Sequence, residues 1–231
     1  MELENISTVG PIQVRPDNGE NLGNWKTKIY ETEGTKYILK VDSRILKEVV
    51  RQETESEDDY STRRTKWCFE FINNERKDEK QISNFVPEGI DFPKEHHLII
   101  DGDDGFPVVA RVQNKVEGKL LKDVKFEELS AKNKEDLNRI VDYGIKSFIE
   151  TGKVLDITGW SGKGEGRFKW LLLSITKPLE GSSNIFLSND GNIVIIDLKS
   201  SFPGDSLPRK IGRFIHFAGL VAYKIRTQRS K

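Results

Sequence analysis

Apolar residues recur along this chain with two periods. Between Asn133 and Thr151 they fall at Leu137, Ile140, Val141, Ile145, Phe148 and Ile149. That is the 3.6-residue repeat of an amphipathic helix, and Gly152 ends it. Arg209 to Arg226 repeats the pattern with Ile211, Phe214, Ile215, Ala218 and Val221. Arg63 to Arg76 carries Trp67, Phe71 and Ile72 at helical spacing, with Glu70 between them. Shorter runs read as strands: Ile12 to Val14, Lys26 to Glu31, Lys36 to Asp42, His97 to Ile100 and Phe106 to Val112. Two more, Ile185 to Leu187 and Ile193 to Ile196, flank Asn189-Asp190-Gly191-Asn192. Asn, Asp and Gly between two apolar runs predict a tight hairpin, because such turns need positive φ. The order is strands, a helix, strands, a linker at Val116 to Leu121, a helix, a loop, a hairpin and a helix. It predicts an α+β fold with two segregated halves.

Composition narrows the setting. The chain has 231 residues, and Lys plus Arg and Asp plus Glu both number 37, so the formal net charge is zero. A balanced total predicts no bulk electrostatic partner, neither nucleic acid nor a membrane surface. No apolar run approaches the roughly 20 residues of a membrane span. The N-terminus lacks the basic and apolar regions of a secretory signal. The single cysteine, Cys68, lies among Trp67, Phe69 and Phe71 and reads as a packing residue. Together these predict a reducing, cytoplasmic location. His96 and His97 are adjacent, so on a strand they face opposite sides and do not share a metal.

The hairpin carries the first candidate chemistry. Closing it at Asn189 to Asn192 brings its outer ends, Asn184 and Asp197, side by side. An amide oxygen beside a carboxylate suits a hard divalent cation such as Mg²⁺, which takes oxygen ligands and keeps part of its water. The bland alternative is a surface hairpin whose Asn and Asp cap the strands.

The stretch Ser183 to Lys199, SNIFLSNDGNIVIIDLK, resembles the metal-binding half of the protein-kinase-like fold. There an Asn and the Asp of a D-F-G motif hold the metal ions on ATP. Here the triplet is Asp197-Leu198-Lys199, so the Asp is kept and the Phe-Gly is not. The resemblance covers most of residues 10 to 225, and its short C-terminal half is similar to minimal bacterial kinase-like or small-molecule phosphotransferase proteins. It implies a two-lobed fold: a small β-rich N-terminal lobe over residues 1–112 and a reduced helical C-terminal lobe over residues 113–231 that holds the hairpin.

The resemblance also implies roles. Lys40, in Tyr37-Ile38-Leu39-Lys40-Val41, is similar to the strand lysine that reaches nucleotide phosphates. Glu70 is the expected partner of Lys40, with Glu53, Glu57 and Glu75 as rivals. Gly19 and Gly23 would let backbone amides approach phosphate, although a full G-x-G-x-x-G is absent. Adenine would bond to hinge backbone at Arg111, Val112 and Gln113. The family's base position before Asn184 falls on Leu179, which cannot act as one. Asp156, after the long helix, is the candidate base, with residues 160–183 as an insertion. The implied activity is an ATP- and Mg²⁺-dependent phosphotransferase of unknown acceptor. The alternatives are a pseudokinase that binds nucleotide or scaffolds without catalysis, and an unrelated α+β binding protein.

Overall fold

The computed structural model describes residues 14–16, 27–32, 36–42, 44–157, 175–176, 179, 182, 184–197 and 206–229; the side chains at 14–16, 27–32 and 229 are outside that description. The expected glycine loop, with Gly19 and Gly23, lies outside it, as does most of 158–183. The protein is mixed α+β with two antiparallel sheets. Its chain divides into two compact units, residues 1–73 with 94–115, and residues 74–93 with 116–231.

The first unit is built on β1 (Val14–Pro16), β2 (Thr27–Thr32), β3 (Tyr37–Asp42), β4 (Glu95–Asp101) and β5 (Pro107–Asn114). Their order in the sheet is β1-β2-β3-β5-β4, so β5 is paired on both sides. The strands expected at Lys26 to Glu31, Lys36 to Asp42, His97 to Ile100 and Phe106 to Val112 are present, β5 running two residues past Val112; of the strand expected at Ile12 to Val14 only Val14 lies among the described residues, where β1 begins. A short helix, α1 (Ile45–Glu48), leads to α2 (Glu57–Ser83). The apolar spacing predicted only the middle of α2, because its ends are charged and carry no periodic apolar signal. Tyr60, Arg64, Cys68 and Ile72 recur every fourth residue and are all buried. Tyr60, Cys68 and Ile72 pack with Ile45, Val49, Val108 and Val109.

Arg64 is wholly buried yet well used. Its guanidinium donates to the Pro107 carbonyl at 3.0 Å, to the Tyr60 hydroxyl at 3.3 Å and to the Asp104 carboxylate. It thereby fastens the β4–β5 turn to α2. Desolvation pushes the Asp104 carboxyl up, but hydrogen bonds from Arg64 and the Phe106 N–H outweigh it and hold the group below its usual value. Burial pushes the Cys68 thiol up to about 11, as expected of a packing residue rather than a nucleophile.

The second unit holds β6 (Gly118–Leu120), β7 (Ile185–Ser188), β8 (Ile193–Ile195), α3 (Ala131–Thr151) and α4 (Leu207–Arg229). β6 corrects the linker expected at Val116 to Leu121: Gly118, Lys119 and Leu120 pair with β7. Gly118 shows why glycine stands there. At φ 150° its backbone runs so close to β7 that a Cβ would lie 2.1 Å from the Leu187 carbonyl oxygen.

Helix α3 begins with a capping box: the Ser130 hydroxyl accepts from the Asn133 N–H while Asn133 reaches back to Ser130. Its apolar face meets the hairpin. Leu137, Ile140 and Val141 share one core with Ile185, Ile193 and Ile195. Among the described residues no helix is long and apolar enough to cross a membrane.

Candidate functional site

The β7–β8 hairpin positions the first group of candidates. Gly191, at φ 78°, makes the turn, and its N–H donates to the Ser188 carbonyl at 2.9 Å. Helix α3 clamps the turn from outside: Asn133 Nδ2 donates to the Gly191 carbonyl at 2.7 Å, and Lys132 Nζ to Asn192 Oδ1 at 3.0 Å. With the tip fixed and Ile185 opposite Ile195, the register at the foot is set. The Ile196 N–H donates to the Asn184 carbonyl at 2.9 Å. Asp197 therefore follows directly after the residue that faces Asn184, and both side chains are half-buried.

The Asn184 side chain has a partner of its own. Its Nδ2 donates to the main-chain carbonyl of Asp156 at 2.7 Å, across 28 residues of sequence. A carbonyl only accepts, so this contact fixes which way the amide points. Oδ1 sits on the other branch of the planar amide and accepts no hydrogen bond among the described residues. It is an oxygen donor with its lone pairs available.

Asp156 is presented by a loop locked at every neighbouring position. Val154, Leu155 and Ile157 are at most 1% exposed, whereas Asp156 is half-buried. Ser147, in α3, donates to the Lys153 carbonyl at 2.9 Å. The Lys153 ammonium reaches Gln81 at 2.6 Å and forms an ion pair with Asp78. Leu179, the residue at the family's base spacing, is 1% exposed and belongs to the apolar core. The Asn184 side chain bonds to the loop with Asp156; the turn at Leu179 reaches only the Asn184 backbone, whose N–H donates to Ser182 Oγ at 3.3 Å.

The second group lies on one face of the five-stranded sheet. Lys40 is 5% exposed on β3 and sits opposite Arg111 on β5, itself 2% exposed. Period-two alternation adds Gln113 of β5 to the same face. From β4, Glu95 stands opposite Gln113 and His97 opposite Arg111. Glu95 spans β5 to hold both cations. Its Oε1 accepts from Lys40 at 3.0 Å and its Oε2 from Arg111 Nη1 at 3.0 Å. Buried Gln113 completes the face, and its Oε1 has no hydrogen-bond partner among the described residues.

Two expectations for this unit are corrected. The carboxylate on Lys40 is Glu95, not Glu70. Glu70 lies two positions from both Cys68 and Ile72, so helical rotation turns it away from the buried side, and it is exposed. Glu53, Glu57 and Glu75 are not in the triad either. Val112 and Gln113 are not an open hinge. Val112 pairs with Leu39 and His96, and Gln113 with Ile38 and Glu95, so sheet neighbours flank both. β4 ends opposite Gln113, so Asn114 is the first residue of β5 with an unflanked side.

The chemistry of the donors bears on a cation. Among the described residues there is no group of three or more His, Cys, Asp or Glu able to hold a metal. Asn184 Oδ1 and the Asp197 carboxylate are two hard oxygen donors on neighbouring backbone. Such a pair fits Mg²⁺, which binds through one or two protein oxygens and keeps several waters, and does not fit zinc. No protein-family model matches this chain, and no curated protein is significantly similar to it.

Proposed function

We propose that this protein is an ATP- and Mg²⁺-dependent phosphotransferase of kinase-like fold. The observation that supports the reading is the bond from Asn184 Nδ2 to the Asp156 carbonyl, with Asp197 adjoining. One contact ties a candidate metal ligand to the loop that presents a candidate base. In this reading Asn184 and Asp197 hold Mg²⁺, which neutralises charge on the nucleotide phosphates when bound. In the first unit, Glu95 keeps the ammonium of Lys40, the lysine that the resemblance assigns to phosphate, oriented. Asp156 accepts the proton of the acceptor hydroxyl. Arg111 shares Glu95 with Lys40, which favours a second reading: a pseudokinase in which the lysine is spent on structure.

A thermal-shift titration with ATP, with and without Mg²⁺, separates these readings from neither. A ligand bound by the folded state alone raises Tm by mass action. The expected result is a Mg²⁺-dependent rise, lost in Asp197→Asn. Turnover then divides the two: Asp156→Asn lowers the rate while leaving the Mg²⁺-dependent shift intact. Binding without transfer to any acceptor or to water selects the pseudokinase. No shift under either condition removes the nucleotide reading altogether.

A further inference from the structure

The formal charge of zero conceals a segregated charge on α4. Its 23 residues include Arg209, Lys210, Arg213, Lys224, Arg226 and Arg229 and no Asp or Glu. The helix also has two apolar faces. At 3.6 residues per turn, His216, Leu220 and Tyr223 share one side. That side is packed: Leu220 is fully buried, His216 is 4% exposed, and neighbouring Phe217 stacks on Phe148 of α3 at 4.4 Å between centroids. Leu207, Ile211, Phe214, Ala218, Val221 and Ile225 fall within an arc of about 80°, centred about 180° from the packed side. In this second stripe Leu207 is 69% exposed, Ile211 51%, Phe214 60% and Ile225 45%. It runs for about 27 Å along the helix. Core formation does not require it, because the core is built on the opposite side.

We propose that this outer face of α4 seats the protein on an anionic lipid bilayer. Charge complementarity selects the occupant. Lys210 flanks the stripe on one side and Arg226 on the other, and both are exposed. Lys210 makes no ion pair among the described residues, while Arg226 also donates to the Ile175 carbonyl at 3.0 Å and Lys224 pairs with Asp142 of α3. An apolar stripe flanked by basic residues lies in the headgroup region with its apolar residues in the acyl boundary. A second copy of the chain would set one all-basic helix against another. A groove-forming acidic protein would have to enclose a helix whose back is already packed on α3, whereas a bilayer offers a flat surface to the one face that is open. The proposal stands independently of any nucleotide chemistry.

The test is co-sedimentation of the full chain with vesicles of phosphatidylcholine alone, and of phosphatidylcholine mixed with phosphatidylserine. The protein should pellet with the anionic vesicles and stay in solution with the neutral ones. Binding should vanish at about 1 M salt, where the Debye length is about 3 Å. Phe214→Asp should weaken partitioning by about tenfold or more, since one buried aromatic is lost and a charge gained. Unchanged circular dichroism of the variant shows that the fold survives; if it does not fold, Lys210→Glu, at an exposed position, carries the same test. Failure to pellet with anionic vesicles overturns the proposal, as does equal pelleting with neutral ones or wild-type binding by the variants. A dimer in sedimentation velocity that Phe214→Asp dissolves, without vesicle binding, gives the face to a second copy instead.

Discussion

The foot of the β7–β8 hairpin and the polar face of the five-stranded sheet hold their candidate residues in opposite ways. At the hairpin, Asn184 is kept in place through one bond to a main-chain carbonyl, and it and Asp197 remain half-exposed. On the sheet, Lys40, Glu95 and Arg111 reach across three strands, and their side chains are at most 10% exposed. The first arrangement leaves an oxygen to offer a ligand and owes little of its stability to the side chain. The second places two cations on one carboxylate where water hardly enters, so removing Glu95 strands two buried positive charges, whereas removing either cation leaves the other paired. A residue poised for binding and a residue committed to the fold are thus distinguishable by what holds them.

The largest effect expected from this contrast lies on the sheet. Glu95→Ala leaves Lys40 and Arg111 buried without their shared carboxylate and should cost on the order of 3–5 kcal/mol in a urea melt. Glu70→Ala, at an exposed site, should stay within about 0.5 kcal/mol. Equal effects would erase the distinction between the expected partner of Lys40 and the observed one. In the second unit the comparable site is apolar. Leu137 of α3 is fully buried in the core it shares with the hairpin strands, and Leu137→Ala should cost about 2–5 kcal/mol.

The units also differ in how pH reaches them. His216, on the packed side of α4, has its pKa lowered from 6.5 to about 4 by burial. Between those values the unfolded chain binds the proton and the folded chain does not. Stability therefore rises with pH through that window: it is fully present above pH 6.5 and declines as pH falls toward 4. The decline should approach about 3 kcal/mol. His216→Phe should flatten this part of the profile in acid-titrated melts, whereas Glu95→Ala should leave its slope in place.

What was legible in the sequence follows from locality. The hairpin could be read because Asn189 to Gly191 and the flanking apolar runs are contiguous, and the foot follows from the turn by register alone. Helix α3 was legible because one strong period and a terminal glycine coincide. Glu95 was not, because its contact depends on β5 lying between β3 and β4, which no local pattern states. The burial of Lys40 and Arg111 was hidden for a related reason: a charged residue inside an apolar strand reads as exposed until its partner is known, here on the strand next to Arg111 and two strands from Lys40. β6 is three residues long and starts with Gly118, too short to show alternation. The balanced charge was read as a property of the whole chain, although α4 holds only one sign.

Smaller effects sharpen the comparison further. Asn184→Ala removes one half-buried hydrogen bond and should cost about 1 kcal/mol. If the hairpin foot is a ligand site, the same change should abolish the Mg²⁺-dependent part of the ATP thermal shift, an effect far out of proportion to its cost in stability. Asn184→Asp supplies oxygen in place of the amide and cannot donate to the Asp156 carbonyl. It should keep a cation-dependent shift while lowering turnover, because the tie to the Asp156 loop is gone.

The smallest expected change in stability tests whether the Asp156 loop is aimed or merely packed. Lys153 joins that loop to the end of α2 through Asp78 and Gln81, and its side chain is 31% exposed. Solvent screens such a pair, so Lys153→Met should cost less than about 1 kcal/mol. The apolar anchors Val154, Leu155 and Ile157 remain, and they hold the backbone near its place. If those anchors suffice, turnover and Mg²⁺–ATP binding are both unchanged, and Lys153 only ties α2 to the loop. If Lys153 sets the angle of the loop, the rate falls while the thermal shift persists, and Lys153→Arg restores much of it by keeping a cation at that position. The split between rate and binding decides, because a purely structural loss would lower the Tm of free and liganded protein together and leave the ligand-induced difference as it was.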